Sequence, residues 1–370
     1  MPNYNLCFFT FLHHDLSFYN KGIIKCHNQH NTMYLLSFFT KIFHFLPGEL
    51  SHHLALKSLK ILYSLGLLKI LMRINFKKED NNFVITPTKA LNCKNKLGIA
   101  AGLDKDGEYI DCLSALGVGF IEVGTVTPIK QQGNPRPRLF RNKKDQSLLN
   151  RLGFNNNGVE ALVENLKNRK SKIPIGVSIG KNFDTPNSQA FKDYLFCMEK
   201  VYAYSNYIAI NISSPNTSDL RELSSEEYLE DLLSKIKSKQ IELSKSLQYV
   251  PIFLKVSPDE CREDLKKICH AIIKNEIDGI ICSNTTTNHK DKNGHGGLSG
   301  SPLKEISTKN LLLVKEIVGT KIPVIASGGV MSVSDYNERI EAGADFVQIY
   351  TGFIFEGPRL IYDILIEGIS

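Results

Sequence analysis

Eight short apolar runs, each closed by a polar or glycine cluster, constrain this chain more than any other feature. They occupy residues 97–101, 120–123, 175–179, 207–210, 250–256, 279–282, 322–326 and 346–349. Each is rich in Ile, Val or Leu without strict alternation, the pattern of a strand buried on both faces. Helical periodicity fills the intervals, for example over 228–241 and 265–277. Parallel strands need such crossovers, and eight strands alternating with helices predict an α/β fold, a (β/α)8 TIM barrel. A doubly wound open sheet is the competing architecture. It would bring a G-x-G-x-x-G turn after its first strand, where this chain has Ala101-Gly102-Leu103-Asp104-Lys105.

At 370 residues the chain is long enough for a barrel with an appendage. The net charge of +7 is uneven, because residues 1–100 hold 12 Lys/Arg against 4 Asp/Glu. There the basic residues alternate with Phe, Leu and Ile, which suits an anionic membrane surface better than nucleic acid. Apolar positions 35, 38, 39, 42, 43 and 46 recur at helical spacing before Pro47-Gly48. A second stretch from Ser51 carries Leu54, Leu56, Leu59, Ile61 and Leu62, and a third runs over 67–74. Such helices read either as a cap packed on the barrel or as an amphipathic element in the membrane interface. The expected division is a poorly organised extension over 1–32, with Met33 a candidate start, a helical element over 33–80 and the barrel over 81–370. Phe83-Val84-Ile85 and Ala90-Leu91-Asn92-Cys93 read as a lid hairpin.

No uncharged apolar run reaches the roughly 18 residues of a spanning helix. The eight Cys include no C-x-x-C pair, so a reduced compartment is expected, without disulfides or a zinc site. Seven of the ten His fall within the first 53 residues, without metal-ligand spacing, and no metal is expected.

The strand ends carry the chemistry. The first offers Ala101 to Lys105 and the second Gly124-Thr125-Val126-Thr127, followed by an excursion containing Asn150-Arg151-Leu152-Gly153-Phe154-Asn155-Asn156. The fourth offers Asn211-Ile212-Ser213-Ser214-Pro215-Asn216-Thr217, the fifth Lys255 and the sixth Ser283-Asn284-Thr285-Thr286. Gly297-Leu298-Ser299-Gly300, Ser327-Gly328-Gly329 and Tyr350-Thr351-Gly352 offer backbone N–H groups suited to a phosphate, in barrel positions where phosphates bind. Asn150, Asn211, Asn216 and Asn284 suit a planar, amide-rich ligand, and Lys105 and Lys255 suit its negative charge. The immediate strand ends hold no His and no carboxylate pair, which argues against glycosidase or metal-hydrolase chemistry.

These motifs, with Glu122-Val123-Gly124-Thr125-Val126-Thr127-Pro128 and Gln348-Ile349-Tyr350-Thr351-Gly352, resemble in order and spacing the quinone-dependent (class 2) dihydroorotate dehydrogenases. The resemblance covers about residues 34–368. It implies an FMN enzyme that oxidises dihydroorotate to orotate and passes electrons to a membrane quinone, bound peripherally to the membrane. A bacterial inner membrane, approached from the cytoplasm, is expected, with the mitochondrial inner membrane as the alternative. Nucleic acid is not an expected partner. By the same resemblance Ser214 is the base for the C5 proton, with Thr217 relaying it. Lys105, Asn150, Asn211, Asn216, Asn284 and Thr285 hold the substrate, with Arg151, Leu152, Gly153 and Phe154 in the same loop. Ala101, Gly102, Leu103, Asp104, Lys105, Thr125, Asn211, Lys255 and Ser283 line the flavin. Gly300, Gly329, Tyr350 and Thr351 hold its phosphate.

Two positions depart from the family pattern. Ser178 stands where Asn is usual, so its contact with flavin is expected through water, and Ser283 replaces Thr with its hydroxyl kept. The helices over 33–80 imply a quinone tunnel, with Phe38, Phe39, Ile42, Leu54 and Leu62 as candidate lining. A soluble relative would lack these helices and carry Cys in place of Ser214. A non-catalytic phosphate-binding barrel would have no need of Ser214, Thr217, Lys105 and Lys255.

Overall fold

The structure is a computed structural model, and it describes residues 37, 40–68, 93–217 and 219–369. The proposed lid hairpin, apart from Cys93, lies outside the described residues, as do the extension over 1–32, Phe38, Phe39 and most of the third helical stretch.

Eight parallel strands close into a barrel: β1 (Leu97–Ile99), β2 (Phe120–Val126), β5 (Ile175–Ile179), β6 (Tyr207–Asn211), β7 (Ile252–Val256), β8 (Gly279–Cys282), β10 (Val324–Ser327) and β11 (Phe346–Ile349). All eight expected strands are present. Their ends shift: β1 stops two residues early, while β2 continues through Gly124, Thr125 and Val126, which the sequence reading had assigned to a mouth. Outside the barrel pack α2 (Ile110–Ser114), α3 (Val159–Asn168), α4 (Ala190–Val201), α5 (Glu226–Ser244), α6 (Arg262–Lys274), α7 (Lys304–Val318), α8 (Val333–Glu341), α9 (Thr351–Glu356) and α10 (Pro358–Glu367). Their buried Leu, Ile and Val side chains join the outward faces of the strands in one core.

The barrel interior is packed by size complementarity. Phe120, Tyr207, Phe253 and Phe346 fill its floor, edge-to-face for Phe120 against Phe346 at 5.6 Å between centroids. Glycines on neighbouring strands make the room. A Cβ on Gly98 would fall 2.3 Å from the Phe120 ring, and one on Gly176 2.0 Å from Tyr207. Above this layer Glu122 is fully buried; its Oε2 accepts from Tyr207 Oη at 2.8 Å and Gln348 Nε2 at 2.7 Å.

Two features lie over the barrel mouth. One is a three-stranded antiparallel sheet of β3 (Leu139–Asn142), β4 (Ser147–Asn150) and β9 (Gly297–Gly300), where the sequence predicts a long excursion and a glycine-rich turn. The other is α1 (Gly48–Ser64). Glu49 fixes this helix to the sheet side through Arg138 at 2.9 Å and Arg136 at 3.2 Å, and Arg141 Nη2 donates to Ser51 Oγ at 3.0 Å. Leu56 is buried against the core, with Leu59 and Leu62 partly so. Ile42, Phe45, Leu50, Leu54, Ile61, Leu65 and Leu67 stay exposed. The segment is therefore a cap on one face and an apolar surface on the other. No helix among the described residues is long and apolar enough to cross a membrane.

Candidate active site

The strand ends and the small sheet enclose a cavity of about 1030 Å³, open mouth included. Its lining brings together nearly all the residues singled out from sequence: Ala101, Gly102, Lys105, Thr125, Asn150, Leu152, Gly153, Phe154, Asn211, Ser214, Asn216, Lys255, Ser283, Asn284, Thr285, Gly300, Gly329, Tyr350 and Thr351.

At one end the amides are locked together. Asn216 Nδ2 donates to Asn150 Oδ1 at 2.9 Å, and Asn150 Nδ2 to the Gly297 carbonyl at 3.0 Å. Asn211 Nδ2 donates to Thr125 Oγ1 at 2.8 Å, and Asn284 Nδ2 reaches Asn211 Oδ1 at 3.2 Å and Ser213 Oγ at 3.0 Å. These bonds fix which way each amide faces while leaving further capacity on several of the groups for a ligand. Ser214 is buried beside them, its Oγ accepting from the Asn216 backbone N–H at 3.3 Å. Lys105 donates to Asn155 Oδ1. Burial, then the nearby charge of Arg138, lowers the Lys105 pKa to about 7. Lys255 stands on the barrel axis side, where its Nζ approaches Glu122 Oε1 at 3.8 Å.

The other end is built from backbone. Gly300, Gly328 and Gly329 line it with Ser299 and Thr351, whose hydroxyls bond each other at 2.8 Å. Gly329 has φ +73°, and a Cβ there would lie 2.3 Å from Lys304 Cα. An apolar edge of Leu139 and Leu148 completes the cavity, with Gly48 of α1 packed directly on Leu139.

Five expected contacts do not line the cavity. Leu103 is core, and the buried Asp104 carboxylate instead accepts the amides of Glu108 at 2.9 Å and Tyr109 at 2.8 Å. Burial still raises the Asp104 pKa to about 7. Ser178 stands one layer back, its Oγ 2.8 Å from Thr125 Oγ1. Arg151 turns outward over the Phe140 ring and bonds the Asn293 carbonyl. Thr217 Oγ1 is buried without a partner among the described residues. Conversely, Met331 lines the cavity from outside every motif named from sequence, whereas Gln348, Ser299 and Ser327 line it from within those motifs without having been given a role there. A polar residue inside the apolar run 346–349 was the available signal for Gln348.

A family model for dihydroorotate dehydrogenase matches residues 85–369. This chain belongs to the dihydroorotate dehydrogenase family. It groups with the quinone-dependent, class 2 members. The dihydroorotate dehydrogenase (quinone) of Pectobacterium carotovorum is 51% identical over 291 residues, 75% of this chain and 87% of that protein. That of Shewanella frigidimarina is 46% identical over 328 residues, 87% and 95% of the two chains. Among solved structures, the Eimeria tenella dihydroorotate dehydrogenase in complex with ferulenol superposes with a TM-score of 0.77 at 31% identity, covering 86% of this chain and 90% of that one.

Proposed function

We propose that this dihydroorotate dehydrogenase oxidises (S)-dihydroorotate to orotate with FMN as hydride acceptor and a membrane quinone as final electron acceptor, the fourth step of pyrimidine synthesis. One observation carries the reading: a buried serine, four asparagine amides and a lysine share a cavity with a glycine- and hydroxyl-built cradle. The residues suit FMN. Gln348 Oε1 lies buried without a partner among the described residues, and the cradle at Gly329 has no room for a side chain. Gly300, Gly329, Tyr350 and Thr351 would hold its phosphate; Ala101, Gly102, Thr125, Asn211, Lys255 and Ser283 would line ring and ribityl chain. When bound, the flavin supplies a two-electron acceptor for the hydride from C6 of the substrate.

The remaining work belongs to the chain. Ser214 Oγ accepts the C5 proton, and the unpartnered Thr217 hydroxyl passes it on through water. The interlocked amides of Asn150, Asn211, Asn216 and Asn284, with Thr285, orient the pyrimidine ring, and Lys105 meets its carboxylate. Lys255 favours negative charge on the flavin, with Glu122 behind it. Leu103, Asp104, Ser178 and Arg151 support this lining from behind. The exposed apolar residues from Ile42 to Leu67 support peripheral attachment of the element over 33–80 to a membrane and passage of quinone past α1 to the Leu139–Leu148 edge. The site of attachment is the cytoplasmic side of a bacterial inner membrane, with the mitochondrial inner membrane as the alternative.

Anaerobic mixing with dihydroorotate is expected to bleach the flavin, and a short-chain quinone to restore it. Bleaching reversed only by fumarate or NAD would refute the quinone assignment, and bound flavin that never bleaches would refute the substrate. Deleting residues 1–78 is expected to abolish quinone reduction and leave FMN bound.

A further inference from the structure

Arg221 lies outside the cavity lining, in the turn Leu220–Ser224 that follows the Ser214 loop. Its guanidinium nonetheless reaches two loops that form the lining. Nε donates to the Ser213 carbonyl at 3.2 Å, and Nη2 donates to the Thr285 carbonyl at 3.0 Å. Nη1 donates to Thr287 Oγ1 at 3.2 Å and pairs with Asp259 Oδ2 at 2.8 Å. Asp259 is itself held: it accepts from the Thr287 amide at 2.7 Å, from Thr287 Oγ1 at 2.9 Å and from the Thr286 hydroxyl. Burial opposes its charge, yet the bonds from Thr286, the Thr287 amide and Arg221 hold Asp259 below the usual carboxylate range.

The Ser213 carbonyl belongs to the peptide unit whose nitrogen is that of Ser214. The Thr285 carbonyl belongs to the loop carrying Asn284 and Thr285. One planar fork thus sets the spacing between the loop that bears the serine and the loop that bears part of the amide set. A lysine at 221 could keep the charge and could not reproduce three divergent N–H directions.

We propose that Arg221, oriented by Asp259, is a positioning residue for Ser214, fixing the serine loop against the Asn284–Thr285 loop. This inference rests on the reading of Ser214 as the proton acceptor. A displacement of about 1 Å at such a group lowers a rate by as much as about 100-fold.

The test uses the full-length, FMN-loaded enzyme. Stopped-flow flavin reduction by dihydroorotate, the dissociation constant of orotate and the thermal midpoint are measured for wild type, Arg221→Lys, Asp259→Asn, Ser214→Ala and the double variant Arg221→Lys/Ser214→Ala. Arg221→Lys is expected to slow flavin reduction about 10- to 100-fold, with orotate affinity changed less than about threefold and the thermal midpoint nearly unchanged. Asp259→Asn is expected to slow it about 3- to 10-fold, and this variant decides the matter if Arg221→Lys does not fold. In the Ser214→Ala background the lysine change is expected to add little, because its target is gone. A wild-type reduction rate in Arg221→Lys would overturn the proposal, as would an equal slowing with and without Ser214. A wild-type rate in Asp259→Asn, where Arg221→Lys does not fold, would do the same. Failure of the underlying reading looks different: wild type would not bleach, or Ser214→Ala would reduce its flavin normally.

Discussion

The two ends of the cavity are made of different materials. The end at Asn150, Asn211, Asn216 and Asn284 is built from side chains that bond one another, whereas the end at Gly300, Gly328 and Gly329 is built from main chain. The first is defined by its donors and acceptors, so exchanging one atom alters it. The second is defined by shape, because a Cβ on Gly300 would lie 2.2 Å from the Gln146 carbonyl oxygen and one on Gly329 2.3 Å from Lys304 Cα. Volume, and not polarity, is what it cannot tolerate.

The sharpest separation of the two ends comes from the serine. Ser214→Ala removes one oxygen and is expected to slow flavin reduction by about 10²- to 10⁴-fold while flavin content stays near one per chain, measured by stopped flow and absorbance. Gly329→Ala should do the reverse. It adds one methyl group at φ +73° and against Lys304, and is expected to weaken FMN binding by at least about tenfold, read by fluorescence of released flavin. A Gly329→Ala protein that keeps its flavin tightly would break the distinction. Asn216→Ala leaves Asn150 Oδ1 without its 2.9 Å partner and is expected to weaken orotate binding about 10- to 100-fold with flavin retained.

The smallest effect is a pH dependence confined to the asparagine end. Burial holds the free Lys105 near pKa 7, so it is protonated below that pH and increasingly neutral above it. A bound carboxylate favours the charged form and raises the pKa in the complex. Orotate binding should therefore take up a proton, and affinity should fall, by at most about tenfold per unit, as pH rises above 7 until the pKa of the complex is reached. Titration calorimetry in buffers of different ionisation enthalpy measures this uptake. Lys105→Met should abolish it.

The barrel was legible because a strand buried on both faces writes itself as a compact Ile/Val/Leu run, and polar clusters after such runs fall at the mouth. The small sheet was not. Leu139–Asn142 and Ser147–Asn150 are short and half polar, and Gly297–Gly300 pairs with a strand about 150 residues earlier, so no local pattern announces them. Reading only strand ends also passed over Glu122, a charge inside the run Phe120-Ile121-Glu122-Val123. A carboxylate there needs buried partners, and they are Tyr207, Gln348 and Lys255. Asp104 shows a related limit: a polar residue at a strand mouth can be spent on the backbone, and its carboxylate holds the turn that leads into α2.

The register of β4 against β9, Ser147 opposite Gly300 and Asn150 opposite Gly297, has a consequence for the order in which this protein comes into being. A wall of the cavity joins the second βα excursion to the sixth, and the cradle is finished only at Thr351. On a ribosome, the first half of the barrel would emerge with Asn150, Asn211 and Asn216 able to meet one another, but without Asn284 and the glycine cradle that complete the cavity. Flavin uptake is therefore expected only after Thr351 has been made, and a product truncated before it is expected to be colourless as well as inactive.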